Sequence, residues 1–125
     1  MKPYEDPINF DVKQYCGDDI VQFERMSEIG QGSPVIGDMY INGRQVPEYQ
    51  FGGPILCDEN NIYAPVFIKR FFTRGFKLAI VDRKTLQVKL IGRAIGLIYL
   101  YKIEGDKVFF YEDVLKTKSN FYTLA

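Results

Sequence analysis

Two stretches decide the fold: Ile62-Tyr63-Ala64-Pro65-Val66-Phe67-Ile68-Lys69, and Phe76-Lys77-Leu78-Ala79-Ile80-Val81-Asp82-Arg83-Lys84-Thr85-Leu86-Gln87-Val88-Lys89-Leu90. In the first, Ile62, Ala64, Val66 and Ile68 fall on alternate positions, the period of a strand, and Pro65 points to an edge or a bulge. In the second, Phe76, Leu78 and Ile80 share one face, as do Leu86, Val88 and Leu90. Placing Asp82 opposite Leu86 leaves the loop Arg83-Lys84-Thr85. Leu78 then meets Leu90 and Ile80 meets Val88, so the apolar faces agree. A two-residue loop would set Leu78 against Lys89 and mix the faces. Under this register Lys77 and Lys89 point away from the core.

Working outward, Val35 to Ile41 is a strand candidate followed by Asn42-Gly43, a strong hairpin signal because both residues tolerate the positive φ of a type I′ turn. Arg44-Gln45-Val46 begins the return. Asp18 to Ile29 reads as a strand, although Ile20, Phe23 and Met26 also keep helical spacing. Gly30-Gln31-Gly32-Ser33-Pro34 is a loop. Ile55-Leu56-Cys57 is a short strand, and Ile95 to Ile103 with Lys107 to Tyr111 reads as a hairpin across Glu104-Gly105-Asp106. The expected fold is mainly β: an antiparallel meander of about seven to nine short strands forming a small sandwich or barrel-like single domain with little helix. Residues 1–19 read as a polar N-terminal arm in which Ile8, Phe10 and Val12 alternate. Residues 20–113 read as the β domain, and residues 114–125 as a C-terminal extension or a single helical turn.

Residues 76–92 resemble the Asp-turn hairpin of a β-propeller repeat. The pattern occurs once in 125 residues, too short a chain for a closed propeller, so the resemblance implies a local hairpin and no function.

Composition agrees with a packed β domain. Apolar residues make up 46% and charged residues 26%, and nine Tyr with ten Phe supply large side chains suited to pleated surfaces. The longest apolar run, Ala94 to Tyr101, is far shorter than the ~20 residues of a membrane-spanning helix. The first residues show neither a basic nor an apolar export region, so a cytoplasmic location is expected, with Cys16 and Cys57 unpaired.

Histidine is absent, which removes the commonest general base and metal ligand. Gly30-Gln31-Gly32-Ser33 lacks the continuation of a nucleotide-binding loop. Asp18-Asp19 and Asp58-Glu59 read as solvated turns, and Cys57 as a packing residue. No catalytic residue, metal site or cofactor is expected. A carboxylate-dependent enzyme or a small-ligand-binding barrel with a Phe- and Tyr-lined pocket is the alternative, since glycosidase-type chemistry needs no histidine.

Charge is zero overall but uneven. Residues 1–60 hold four basic and eleven acidic side chains, whereas residues 61–125 hold twelve basic and five acidic. Such asymmetry points to charged partners. The basic stretch contains Lys69, Arg70, Arg74, Lys77 and Lys89, interleaved with Phe67, Phe71 and Phe72. Together with Arg25, Arg44, Tyr49 and Tyr63 these form the expected partner-binding set, because Arg and Tyr dominate binding hot spots. Asp18, Asp19, Glu24, Glu28 and Asp38 are the acidic surface candidates. The expected function is a non-catalytic protein-binding module, of an inhibitor or immunity type, acting by charge and aromatic complementarity. Nucleic-acid binding is expected to be weak and non-specific at zero net charge.

Overall fold

The computed structural model describes residues 5–30, 34–70 and 73–124, the side chains of Arg70 and Thr73 excepted. Gln31 to Ser33 of the expected loop, together with Phe71 and Phe72, lie outside the described residues. The described chain forms twelve strands and no helix. They are β1 (Lys13–Cys16), β2 (Asp19–Glu28), β3 (Val35–Ile41), β4 (Arg44–Gln45), β5 (Gln50–Phe51), β6 (Leu56–Cys57), β7 (Asn61–Arg70), β8 (Thr73–Asp82), β9 (Val88–Ile95), β10 (Tyr99–Glu104), β11 (Lys107–Tyr111) and β12 (Ser119–Thr123). All pairings are antiparallel.

The main path runs β1-β2-β3-β5-β7-β8-β9, with β4 on β3 and β6 on β7, while β10-β11-β12 form a separate sheet. The ends of the larger sheet do not pair, so it is an open sheet and not a closed barrel. Its central strands are buried on both faces, which the sequence reading did not anticipate. On one face Ile62, Ala64, Val66, Ile68, Ala79 and Val81 pack with Val21, Phe23, Met39 and Ile41, so β7–β8 and β2–β3 meet across this core. On the other, Tyr63, Phe76 and Leu78 pack with Leu100, Val108 and Phe110 of the smaller sheet. Strands covered twice lose the apolar-in, polar-out contrast that normally identifies a single buried face.

The two sheets come close at Gly92. Its φ is +83°, and a Cβ there would lie 2.6 Å from the Tyr122 hydroxyl oxygen, so glycine both adopts the positive φ of the β9 bulge and admits the ring.

The β8–β9 register differs from expectation by one residue. Leu78 lies opposite Ile91, Ala79 opposite Leu90, Ile80 opposite Lys89 and Val81 opposite Val88. The loop is one residue longer than expected, Arg83 to Leu86. The Leu86 N–H donates to the Asp82 carbonyl at 2.9 Å, and the Asp82 N–H donates to the Gln87 carbonyl at 2.9 Å. The added residue is Leu86 itself, which takes φ 65°. A one-residue slip exchanges faces. Val88 and Leu90 therefore pack against the first core and Ile91 against the second. Lys77, opposite Val66, and Lys89, opposite Ile80, lie on opposite faces and do not form one basic surface.

The Asn42-Gly43 turn is as expected, with φ of 51° and 83°. Pro65 lies in an interior strand and not on an edge. Its carbonyl accepts the Gly52 N–H, so its missing donor faces the gap between β5 and β6, where no ladder bond is lost.

Both terminal segments belong to the folded body. Lys13–Cys16 of the expected arm pairs with β2, and Phe10 is buried, while Ile8 and Val12 are exposed and form no strand. Ser119–Thr123 of the expected extension pairs with β11. Cys16 and Cys57 are joined by a disulfide, which corrects the expectation of unpaired thiols. Forty-one positions apart in sequence, they meet because β1 and β6 converge beside the first core. No helix among the described residues is long and apolar enough to cross a membrane.

Candidate protein-binding groove

The β7–β8 hairpin sets Lys69 directly opposite Arg74, and alternation places both on the face that carries Phe67 and Phe76. Like charges in that relation repel, and such cross-strand pairs destabilise a sheet by ~0.2–1 kcal/mol. Arg74 holds its guanidinium carbon 5.6 Å from the centre of the Phe67 ring, where the quadrupole attracts a cation. Phe67 in turn packs on Phe76 with ring centres 5.3 Å apart. Neither Lys69 nor Arg74 forms an ion pair among the described residues.

Lys69, Arg74 and Phe67 border an open groove of about 410 Å³, which Tyr49, Glu48, Ile29 and Ile36 also line. Tyr49 is half-buried and meets Phe51 edge to face at 6.3 Å. The groove therefore offers an apolar floor, one tyrosine and two adjacent cations against a single carboxylate, Glu48. Such a surface can accept carboxylates from a partner while covering the rings.

Of the residues expected to bind, Tyr49, Lys69 and Arg74 converge here. Arg70 lies one position further along the same hairpin, opposite Thr73. The others lie elsewhere. Arg25 is exposed, at φ 53° in a β2 bulge, and its guanidinium is bound to Asp38, which raises its pKa. Arg44 is exposed and donates to the Lys84 carbonyl at 3.0 Å. Tyr63 is 2% exposed and belongs to the second core, which corrects its expected role as an anchor. Lys77 is half-buried on the opposite face, and Lys89 borders a separate depression of about 370 Å³ with Tyr63 and Ile80.

The acidic candidates do not share one surface. Asp18, Glu24 and Glu28 are exposed, but Asp38 is buried and engaged by Arg25. Asp19 accepts from Asn42 at 2.8 Å and from Arg83 at 2.8 Å, and these two bonds, Asn42 first, hold its carboxyl below the usual range. Arg83, read only as a residue of the loop after Asp82, is a tie within the fold. It also donates to the carbonyls of Asp58, Glu59 and Cys16. Sequence reasoning placed Phe67 only as a neighbour and missed Glu48, since only the packing of the β4–β5 connection against β7 brings Glu48 to the groove.

No group of three or more metal-ligating side chains occurs among the described residues. No family model matches this chain, and neither a search of characterised proteins nor one of solved structures finds a match.

Proposed function

We propose that this protein is a non-catalytic binding module whose groove beside Lys69, Arg74, Tyr49 and Phe67 docks a carboxylate-bearing surface of a partner protein. An inhibitor or immunity-type role, in which the module covers a partner's working surface, is the form of that function we favour. The observation that carries the reading is the juxtaposition of Lys69 and Arg74, with no ion pair to either among the described residues, over an aromatic floor. Two adjacent cations are held where folding alone would disfavour them. A partner carboxylate would relieve the repulsion.

The alternative, a ligand-binding barrel or a carboxylate-dependent enzyme, has less support. The larger sheet is open, and the depressions beside Lys89, Lys69 and Leu86 are open grooves.

The test is charge reversal. The protein and its Lys69→Glu/Arg74→Glu variant are used as immobilised baits, and a partner retained by the first is purified and titrated against both. A loss of tenfold or more in affinity is expected in the variant, with recovery when an acidic residue of the partner is changed to lysine. Undiminished binding by the variant would sink the proposal.

A further inference from the structure

The smaller sheet carries a second surface, built from residues that the groove does not use. Along β11, Val108 and Phe110 point into the second core, so Phe109 and Tyr111 point outward. Phe121 lies opposite Phe109, and Tyr101 projects from the bulge between Leu100 and Lys102 to join them. Tyr101, Phe109, Tyr111 and Phe121 belong to neither core. They make one aromatic row across three strands, and Phe121 is 44% exposed.

The use already made of these ring faces decides what could lie on them. Tyr101 and Tyr111 stack on each other, with centres 4.2 Å apart and planes 19° from parallel. The Lys102 ammonium sits 4.6 Å from the centre of the Phe109 ring, and the Lys107 ammonium 4.9 Å from that of Phe121. Nucleic-acid bases bind such sheets by stacking on ring faces, and here Tyr101, Tyr111, Phe109 and Phe121 each already give one face to a neighbouring ring or an ammonium group. Ring edges and the two ammonium groups border the row. Glu104 pairs with Lys102 at 3.3 Å, whereas Lys107 has no ion pair among the described residues, so the row carries a net positive charge.

We infer that the outer face of the β10-β11-β12 sheet is a second protein-docking surface, and that its occupant is an acidic segment of a partner carrying aromatic or aliphatic side chains among its carboxylates. The carboxylates would meet Lys102 and Lys107, and the apolar side chains would meet the ring edges of Tyr101, Phe109 and Phe121. Both lysines would then be held by a partner anion and by a ring at once, which raises the cost of dissociation.

A fluorescently labelled copolymer of glutamate and tyrosine tests this by anisotropy, with a lysine–tyrosine copolymer and oligo-dT as controls. The acidic copolymer should bind, and its affinity should fall as salt rises. Lys102→Gln/Lys107→Gln and, separately, Phe121→Ala should each weaken it tenfold or more, with melting curves confirming that these exposed substitutions leave the fold intact. Lys69→Glu/Arg74→Glu should leave it within twofold, which separates this surface from the groove. No binding, undiminished binding in the sheet variants, tighter binding of oligo-dT, or a loss confined to the groove variant would each overturn the inference.

Discussion

Tyr63 shows how one side chain can change its meaning between sequence and structure. Tyrosine is a favoured residue for interfaces because its ring is apolar and its hydroxyl polar, and the same duality suits a core position with one acceptor in reach. Here the hydroxyl donates to the Asp58 carboxylate at 2.6 Å. Burial, and then the Asp58 bond and charge, push the Tyr63 pKa up to about 12. For Asp58 burial alone would raise the pKa, but the Tyr63 hydroxyl and the N–H groups of Asn61 and Asn60 outweigh it and hold the carboxyl low. A phenol with a raised folded-state pKa contributes stability that is complete below its unfolded value of ~10. That contribution is lost as pH rises through the folded value. Denaturant unfolding of the wild type should therefore show stability falling between pH 10 and about 12. Tyr63→Phe should be less stable by ~1.5–3 kcal/mol at neutral pH, the worth of a hydrogen bond to a charged group, and should show a shallower alkaline decline. An identical alkaline decline in the variant would mean that another group titrates there.

The β8–β9 hairpin carries the corresponding lesson for an element. Alternation correctly identified two strands and their separation by a turn headed by Asp82, whose carboxylate accepts the N–H groups of Lys84 and Thr85. It did not identify the loop length. Leu86 is not a residue expected in the left-handed region, and only its burial in the first core explains why an apolar side chain is held there. The one-residue slip can be measured with double-mutant cycles. Leu78 and Ile91 face each other on the second core, so Leu78→Ala and Ile91→Ala should be coupled by ~0.5–3 kcal/mol. Leu78 and Leu90 lie on opposite faces, and their coupling should be within ~0.5 kcal/mol of zero. The reverse ranking would restore the register expected from the sequence. Leu78→Ala alone should cost ~2–5 kcal/mol, since the side chain is fully buried.

For the molecule as a whole, the disulfide is the longest-range covalent tie, closing a loop of 41 positions between the first strand and β6. Thiol titration in denaturant without reductant should find no free thiol. Cys16→Ser/Cys57→Ser should lower unfolding stability by ~2–4 kcal/mol, the range expected when a cross-link of this span is removed from the unfolded chain. Two free thiols in freshly purified protein would contradict the pairing. The same convergence also ties the oppositely charged halves together. Arg83 of the basic half bonds to Asp19 of the acidic half, so at that point the asymmetry in sequence serves cohesion and not partner recognition.

The sequence alone determined the fold class, most of the strands and the Asn42-Gly43 turn, because alternation and turn chemistry are local properties that a strand carries wherever it packs. It also singled out Tyr49, Lys69 and Arg74, although it could not say that they would meet. Only the tertiary structure decided which face of each strand is buried and how many times. Strands β7 and β8 are apolar on both faces, so their pattern cannot reveal that one face meets β2–β3 and the other a second sheet. The pairing of Cys16 with Cys57, the groove and the aromatic row all arise from contacts between distant segments, and those contacts are fixed by the closing of the two cores.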